Sequence, residues 1–303
     1  MEIFIIFNEF YFNNFERNIC MLQYFMPHKY KHILNRDCTP KLEYFCKVDE
    51  VSSVMPRAMH VHENLVEVLL VYKGSGIYTI DNNKYIAKKG DLIFYNSGVV
   101  HDEFGGNGSN LGTYCLGISN LKIVKLGNNK IIEDNYCPII NCNEYFDDIL
   151  SMFDIIRKSI DVDGIHVAEF SNFLVQALVV KFRIIIEKNG DVKQIKEPSL
   201  ATKIKIYIDK NYNENISLKS IAEAVNANQY YLSHIFKEET GFSPMQYVTR
   251  RRIGEAQNLL INTQLSITEI AANVGYNNSN YFQNVFKKIV GYTPGSYRKR
   301  WQV

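Results

Sequence analysis

The sequence predicts a two-domain protein, with an N-terminal all-β barrel followed by amphipathic helices and then an all-α C-terminal domain. Three observations predict this arrangement. Short β-rich runs separated by turns fill residues 31–144, apolar residues recur at three- and four-residue steps over 145–190, and residues 200–303 contain one helical pattern twice. A polar linker is expected at 191–199, and residues 1–30 are an extension to which we assign no role.

The β region is identified from apolar runs and the turns between them. Residues 66–72 are rich in β-forming side chains and end at Gly74-Ser75-Gly76, and residues 92–95 follow a turn at Lys89-Gly90-Asp91. Strands this short and this closely spaced are typical of a barrel or sandwich.

The middle segment, 145–190, is predicted to form two helices. Ile149, Phe153 and Ile156 share one face of the first helix, and Leu174 and Leu178 share a face of the second. We expect these helices to pack on the barrel and to bury a further face in a homodimer. The alternative is that all of their apolar residues pack within one chain.

Charge is unevenly distributed along the sequence. The whole chain has a net charge of +2, whereas residues 198–303 contain 13 Lys and Arg against 7 Asp and Glu. A basic C-terminal third on a mildly acidic body suits contact with phosphates. The start lacks the basic leader of an export signal, and no apolar stretch reaches the roughly 20 residues of a membrane span. We therefore expect a cytoplasmic protein that is not bound to membranes.

The C-terminal region repeats itself. Ile221 and Ala222 correspond to Ile270 and Ala271 at an offset of 49 residues. One residue enters the second copy, and the offset is then 50 for the pairs Phe236 and Phe286, Gly241 and Gly291, and Pro244 and Pro294.

Each copy has the parts of a helix-turn-helix. Ser217 and Ser266 can cap a first helix, and Asn226 and Gly275 suit the positive φ that the turn requires. A second helix is expected after the turn in each copy, near 228–239 and near 278–289. The two complete motifs then span about 217–239 and 266–289.

The exposed faces of the two second helices are suited to reading DNA bases. Asn and Gln amides pair with adenine edges, Ser and His exchange hydrogen bonds with bases, and a ring can contact a thymine methyl. The alternative is that these are ordinary solvated helix faces. The presence of two copies, both basic and rich in amide side chains, disfavours that alternative. The expected base-reading residues are Gln229, Tyr230, Ser233, His234, Ser279, Asn280, Gln283 and Asn284. The expected phosphate contacts are Lys237, Arg250, Arg251, Lys287, Lys288, Arg298 and Arg300.

Two segments carry a resemblance to a known family. Residues 221–241, from Ile221-Ala222-Glu223 to Thr240-Gly241, resemble the first motif of the AraC/XylS family of bacterial transcription regulators, and residues 266–298 resemble the second. The resemblance covers about a hundred residues. It implies a seven-helix unit whose long helix, near 244–262, holds two recognition helices on the order of 10 base pairs apart. It also implies a homodimer, an activator that meets RNA polymerase, and a small effector bound in the barrel.

The reading faces depart from that family in one respect. Both lack the arginine that commonly reads guanine in such proteins, and His234 and Asn284 stand in its place. We therefore expect a DNA site that leans toward A·T pairs.

A second resemblance lies in the barrel. His60-Val61-His62, Glu67 and Gly74, followed by Gly90, Gly98 and His101, resemble the two motifs of the cupin barrel, a double-stranded β-helix. In cupin enzymes the three His and the Glu bind a divalent metal. Val54 and Asn96 depart from the motifs, which have Gly and Pro there.

Three uses of these barrel residues are considered. We favour the lining of an effector pocket, and a divalent metal as a sensing or structural element is the first alternative. Catalysis is the second. The pocket floor is expected to include Tyr72, Tyr78, Phe94 and Tyr95, of which strand alternation lets only half face inward. The expected pocket residues are His60, His62, Glu67, Tyr72, Tyr78, Phe94 and His101, and the expected metal ligands are His60, His62, Glu67 and His101.

The whole chain is thus interpreted as a DNA-binding transcription regulator without enzymatic activity. It is expected to respond to a small polar effector, with a carbohydrate as the suggested class. A metal-dependent cupin enzyme that carries a DNA-binding tail is the alternative, and a ligand-independent architectural DNA binder is a third interpretation.

Overall fold

The computed structural model describes residues 31–301 except 36, 51–52, 54–56, 82, 105–109, 163 and 192–198. The predicted extension at 1–30, most of the predicted linker and Val54 lie outside the described residues. The chain divides into a short unit, Met1–His32, and a larger unit, Ile33–Val303, to which all of the following features belong.

The N-terminal half of the larger unit is built from β-strands, as the sequence predicts. They are β1 Lys41–Val48, β2 Arg57–His60, β3 Leu65–Lys73, β4 Ser75–Ile80, β5 Asn83–Lys88, β6 Asp91–Tyr95, β7 His101–Phe104, β8 Gly112–Ser119 and β9 Ile139–Asn141. One antiparallel sheet has the order β1-β8-β3-β6-β9, and the other has the order β2-β7-β4-β5. Inward-facing residues of both sheets share one core, which includes Leu69, Ile93, Cys115, Tyr78 and Ala87.

Strand β3 shows why the sequence there is apolar at nearly every position. Val66, Val68 and Leu70 belong to the core formed with the helices, whereas Leu69 and Val71 belong to the core inside the barrel. Since successive side chains of a strand point to opposite faces, both faces of β3 are covered and both need apolar residues.

Two helices cover the outer face of the larger sheet, at α1 Phe146–Ile160 and α2 Val167–Asn189. Ile149, Phe153 and Ile156 of α1, with Leu178 and Phe182 of α2, are fully buried in the core beneath them. The predicted amphipathic helices are therefore confirmed.

The C-terminal half is helical throughout its described length. Its helices are α3 Leu200–Asn211, α4 Leu218–Ala224, α5 Gln229–Thr240, α6 Pro244–Asn262, α7 Ile267–Asn273, α8 Ser279–Val290 and α9 Pro294–Trp301. Two cores form, one around Leu232 and Phe236 and the other around Phe282 and Phe286. Within the described residues, none of the helices combines the length and apolar character that a membrane crossing requires.

Candidate DNA-binding surface and polar cluster of the barrel

The first helix-turn-helix consists of α4, a short turn and α5. The Ser217 hydroxyl accepts a hydrogen bond from the backbone N–H of Ser220, which satisfies one free donor at the start of α4. Asn226 has a φ of 52° in the turn, and the Asn228 side chain caps α5. The predicted cap, turn and second helix are confirmed, with α5 beginning one residue later than expected.

The second helix-turn-helix repeats this construction with α7 and α8. Ser266 accepts from the backbone N–H of Glu269, and the carboxylate of Glu269 accepts in return from the N–H of Ser266. Gly275 has a φ of 88°, and a Cβ there would lie 2.6 Å from the carbonyl oxygen of Asn213. Glycine is therefore required at this turn for both its conformation and its size.

The predicted base-reading residues lie on the faces of α5 and α8 opposite their buried sides. Tyr230 is 83% exposed, and His234 is also exposed. Gln229, Asn280 and Asn284 are exposed as well, while Ser233, Ser279 and Gln283 are half-buried along the same faces. Each of the two helices thus presents a polar, largely exposed face to solvent.

The predicted phosphate-binding residues divide into two groups. Lys237, Lys287 and Lys288 are exposed at the ends of α5 and α8, and exposed Arg300 lies over the ring of Tyr292. Arg298 is half-buried and donates to the carbonyl oxygens of Leu260 and Leu265 at 3.3 and 2.5 Å. Its guanidinium closes the end of α6, so we withdraw it as a primary phosphate contact.

Arg251 is buried, contrary to its predicted role as a phosphate contact. Its side chain is 1% exposed, its Nε donates to Asp209 at 2.9 Å, and its Nη1 donates to the carbonyl oxygen of Met59 at 3.0 Å. A guanidinium held inside the protein in this way cannot reach a phosphate, and the prediction for Arg251 is wrong. Neighbouring Arg250 is half-buried and lies 3.4 Å from a carboxylate oxygen of Asp102, so it reaches DNA only if that ion pair opens. A run of arginines on a helix does not reveal which of them face inward.

The four predicted metal or pocket residues come together inside the barrel. The ligand atoms of His60, His62, Glu67 and His101 all lie within 4.8 Å of one another. Oε2 of Glu67 lies 2.8 Å from Nε2 of His101, 3.4 Å from that of His62 and 4.0 Å from that of His60. Three imidazoles from one side of the barrel thus converge on a single carboxylate oxygen from the opposite sheet.

Backbone contacts orient two of the imidazoles. Nδ1 of His60 lies 3.1 Å from the carbonyl oxygen of Ala58, and Nδ1 of His101 lies 2.9 Å from that of Val99. A carbonyl only accepts, so the proton of each neutral ring belongs on Nδ1 and the lone pair of Nε2 points toward the cluster. This is the orientation in which histidine binds a metal ion.

The surroundings of His101 favour its neutral form. Burial lowers the pKa of His101 below its ordinary value, while the hydrogen bond and the charge of Glu67 oppose that shift. Glu67 is fully buried and accepts a hydrogen bond from the Cys115 thiol at 2.8 Å. A buried carboxylate beside neutral nitrogen donors suits a cation.

Two tyrosines extend the polar interior. Tyr95 stacks on His101 with ring centroids 3.8 Å apart, and burial raises the pKa of both Tyr95 and Tyr78 well above the ordinary value. Both hydroxyls are buried without a hydrogen-bond partner in the described part of the chain. Unsatisfied hydroxyls beside the cluster are what a polar ligand in the barrel would satisfy.

The other two predicted pocket aromatics lie elsewhere. Phe94 packs 5.7 Å from the ring of Phe182 in α2, and Tyr72 packs 4.9 Å from Tyr114. Both belong to the helix-covered outer face of the sheet, because they have the opposite strand parity to Tyr95 and Val71. Their assignment to the pocket was wrong, although the expectation that only half of these rings face inward is confirmed.

Sequence reasoning missed two neighbours of the cluster. Tyr44 of β1 brings its hydroxyl to 3.5 Å from Nε2 of His62, and Cys115 of β8 contacts Glu67. Neither lies in a recognisable motif, and only the pairing of β1 with β8 and of β8 with β3 brings them there. Asn96, which departs from the cupin motif, is buried and accepts from the N–H of Ile131 at 2.9 Å, so it fastens the segment that follows β8.

Comparison with known proteins identifies the same two parts. Residues 221–300 match the family described as a helix-turn-helix domain, and residues 51–107 match the family described as a cupin domain.

Three relatives illustrate the similarity. The chain is 28% identical over 270 residues, 87% of this chain and 88% of the relative, to the uncharacterized HTH-type transcriptional regulator YdiP of Escherichia coli K12. It is 25% identical over 238 residues, 77% of this chain and 84% of the relative, to the lactose operon transcription activator of Staphylococcus xylosus. The solved C-terminal domain of AraT, a response regulator from Geobacillus stearothermophilus, is 35% identical, with 36% of this chain and 91% of that domain covered and a TM-score of 0.35. The chain is therefore a DNA-binding transcription regulator that combines a helix-turn-helix domain of the AraC type with an N-terminal cupin domain.

Proposed function

We propose that the protein is a transcription activator controlled by a small polar ligand in its barrel. The observation that carries this proposal is the pairing of two exposed, amide-rich reading faces with a buried polar cluster in the same compact unit. The name of the Staphylococcus relative, a lactose operon transcription activator, supports both the activator role and a carbohydrate effector. As an activator it would meet RNA polymerase at the promoter, in the cytoplasm.

We assign base reading to the eight residues on α5 and α8. Each helix would lie in a major groove, with α6 holding the two on one face of DNA about one helical turn apart. Exposed Lys237, Lys287, Lys288 and Arg300 would neutralise phosphates on either side.

The cluster of His60, His62, Glu67 and His101 also supports binding of a divalent metal ion. Its donor set of three imidazoles, two of them oriented by backbone carbonyls, and one carboxylate fits such an ion. When bound, the ion would serve as a Lewis acid to which oxygen atoms of an effector can attach. The protein's own residues would hold it and exclude water from it.

Helices α1 and α2 support a homodimer. Phe170 and Phe173 of α2 are 47% and 61% exposed, and Val162 and Ile165 before it are also exposed. Apolar residues grouped in this way on a surface favour burial against a second copy. In this arrangement residues 31–144 sense, 145–190 dimerise, 191–199 link and 200–303 bind DNA.

The central test is a mobility shift with the full chain on the DNA upstream of its own gene. We expect binding at low salt that an added effector changes. Purification without a His tag, followed by metal analysis of the wild type and His62→Ala, tests the cluster. A folded protein that holds stoichiometric metal but fails to bind DNA would favour the second candidate, a metal-dependent cupin enzyme, which the four-ligand cluster alone supports.

A further inference from the structure

The two faces of strands β2 and β7 contact different parts of the protein. His60 of β2 and His101 of β7 are register partners in the antiparallel pair, and both point into the polar cluster. The residue immediately before each histidine, Met59 and Val100, is buried instead in the core of the first helix-turn-helix. Neighbouring side chains of a strand point to opposite faces, which accounts for both pairs, and the register of β2 is irregular between Arg57 and His60, where Ala58 departs from this alternation.

Strand β2 also reaches the second helix-turn-helix. Ala58 is buried in the core that contains Phe282 and Phe286 of α8, whereas Met59 is buried with Leu232 and Phe236 of α5. Two consecutive residues of one barrel strand therefore fill the cores of the two DNA-binding motifs. Moving β2 must change how those motifs are held relative to each other, because close-packed cores do not deform smoothly.

Helix α6 fastens β2 in this position. The backbone N–H of Ala58 donates to Oε1 of Gln257 at 2.8 Å, and the carbonyl oxygen of Met59 accepts from Arg251. Gly254 lies directly against the strand, since a Cβ on it would stand 1.8 Å from the Met59 carbonyl oxygen. At position 254, no side chain larger than hydrogen fits between α6 and β2.

A parallel contact exists on β7. Asp102, which follows His101, lies 3.4 Å from Arg250 of α6, and it also accepts from the backbone N–H of Thr79 at 3.1 Å. Both strands that present a histidine to the cluster thus contact α6 through the adjacent residue.

We propose that β2, supported by β7, is the element through which occupation of the histidine cluster controls the relative placement of the two recognition helices. The inference rests on the proposed function, in which the cluster binds a ligand. An ion held between Glu67 and the imidazoles would reposition His60 and His101 and with them Ala58, Met59 and Val100, and this shift would change the contact with α6. One consequence is that the ligand selects DNA by the distance between its half-sites.

The test compares Gly254→Ala with Gly295→Ala, which makes the same substitution in α9 where a Cβ meets nothing within 4 Å. Alanine favours the helix over glycine, so Gly254→Ala acts through the contact with β2 rather than by weakening α6. Gln257→Ala, which removes the acceptor of the Ala58 N–H, is the second variant in case Gly254→Ala does not fold. Zn²⁺ is the probe, with a chelator-treated sample as reference.

Three quantities are measured on the full chain: Zn²⁺ affinity, hydrogen exchange of β2 and α6, and affinity for DNA whose half-site spacing varies. In the wild type and Gly295→Ala, we expect Zn²⁺ to change exchange in both elements and to change DNA affinity by roughly 5- to 150-fold at a preferred spacing. In Gly254→Ala or Gln257→Ala, Zn²⁺ still binds, but its effect on DNA affinity falls below about twofold.

The outcomes distinguish a failure of the proposed metal site from a failure of the inference about β2. If the wild type binds no Zn²⁺, both the assigned cluster and this inference fail. If it binds Zn²⁺ without any change in exchange or DNA affinity, only the inference fails. A full response to Zn²⁺ in a folded Gly254→Ala or Gln257→Ala protein also overturns the inference, because the response would then bypass the contact between β2 and α6.

Discussion

Oε2 of Glu67 on β3 lies 2.8 Å from Nε2 of His101 on β7, so one buried polar contact joins the two sheets of the barrel across its interior. Nδ1 of the same imidazole faces the carbonyl oxygen of Val99, which directs Nε2 at the carboxylate. The cluster is thereby held in place before any ligand arrives, and a preorganised site loses less entropy on binding.

Replacing Glu67 with Gln should weaken metal binding. The substitution keeps the shape of the side chain but removes the one carboxylate on which three imidazoles converge. We expect the affinity for Zn²⁺ to fall at least about tenfold, as measured by titration calorimetry. The matched control is Glu63→Gln on the exposed loop nearby, which should leave affinity unchanged. Equal affinities in wild type and Glu67→Gln would remove Glu67 from the site.

The stability of the metal-free protein should fall on acidification below about pH 6.5, the ordinary pKa of histidine. Burial lowers the pKa of His101 in the folded state, against the opposing effect of Glu67. Between the folded and unfolded pKa values the unfolded chain binds more protons, so the free energy of unfolding decreases as pH falls, by up to about 1.4 kcal/mol per pH unit.

Urea unfolding at pH 7.5 and 5.5, with a chelator present, measures this dependence. His101→Gln should flatten it, whereas His166→Gln, at a histidine 84% exposed before α2, should not. A wild-type slope retained in His101→Gln would contradict the assignment.

The first recognition helix should set the sequence preference. Both reading faces lack arginine, so selection from random DNA should return half-sites rich in A·T pairs. The double change Ser233→Ala and His234→Ala should reduce discrimination between the selected site and a mismatched one by about 1–3 kcal/mol. Strictly G-rich half-sites would refute the first expectation, and unchanged discrimination would refute the second.

Lys287 should contribute equally to the binding of specific and non-specific DNA. It is exposed in the last turn of α8, where an ammonium can reach a phosphate. Lys287→Ala should weaken specific and non-specific binding similarly and reduce the slope of log affinity against log salt by about one. Loss confined to the specific site would mean that Lys287 reads a base instead.

Arg251 should contribute to the stability of the fold and not to DNA binding. Its guanidinium is buried against Asp209 and Met59, so Arg251→Ala leaves the half-buried carboxylate of Asp209 without this ion pair and the buried carbonyl of Met59 without its donor. We expect a loss of about 3–5 kcal/mol in the free energy of unfolding. Lys219→Ala, at an exposed position, should change it by less than about 0.5 kcal/mol. At temperatures where Arg251→Ala is folded, its salt slope for DNA should match the wild type, and a reduced slope would restore the phosphate contact.

The sequence alone determined the elements and their local chemistry. Caps at Ser217 and Ser266, the turn positions Asn226 and Gly275, and the helical period of 145–190 depend on interactions between residues a few positions apart. Such interactions can be read from spacing, because helix and turn geometry has a fixed period. The four residues of the barrel cluster were also recognisable, since their spacing matches a known motif.

Only the tertiary structure decided which side each residue faces and what lies beyond it. Tyr72 and Phe94 turned outward, Cys115 and Tyr44 joined the cluster, and Arg251 was buried by a strand almost two hundred residues earlier in the chain. Strand register and the packing of β2 on α6 are long-range relationships, and one sequence carries no periodic signal for them. The physical reason is that burial depends on which surfaces meet, whereas local pattern depends only on near neighbours in the chain.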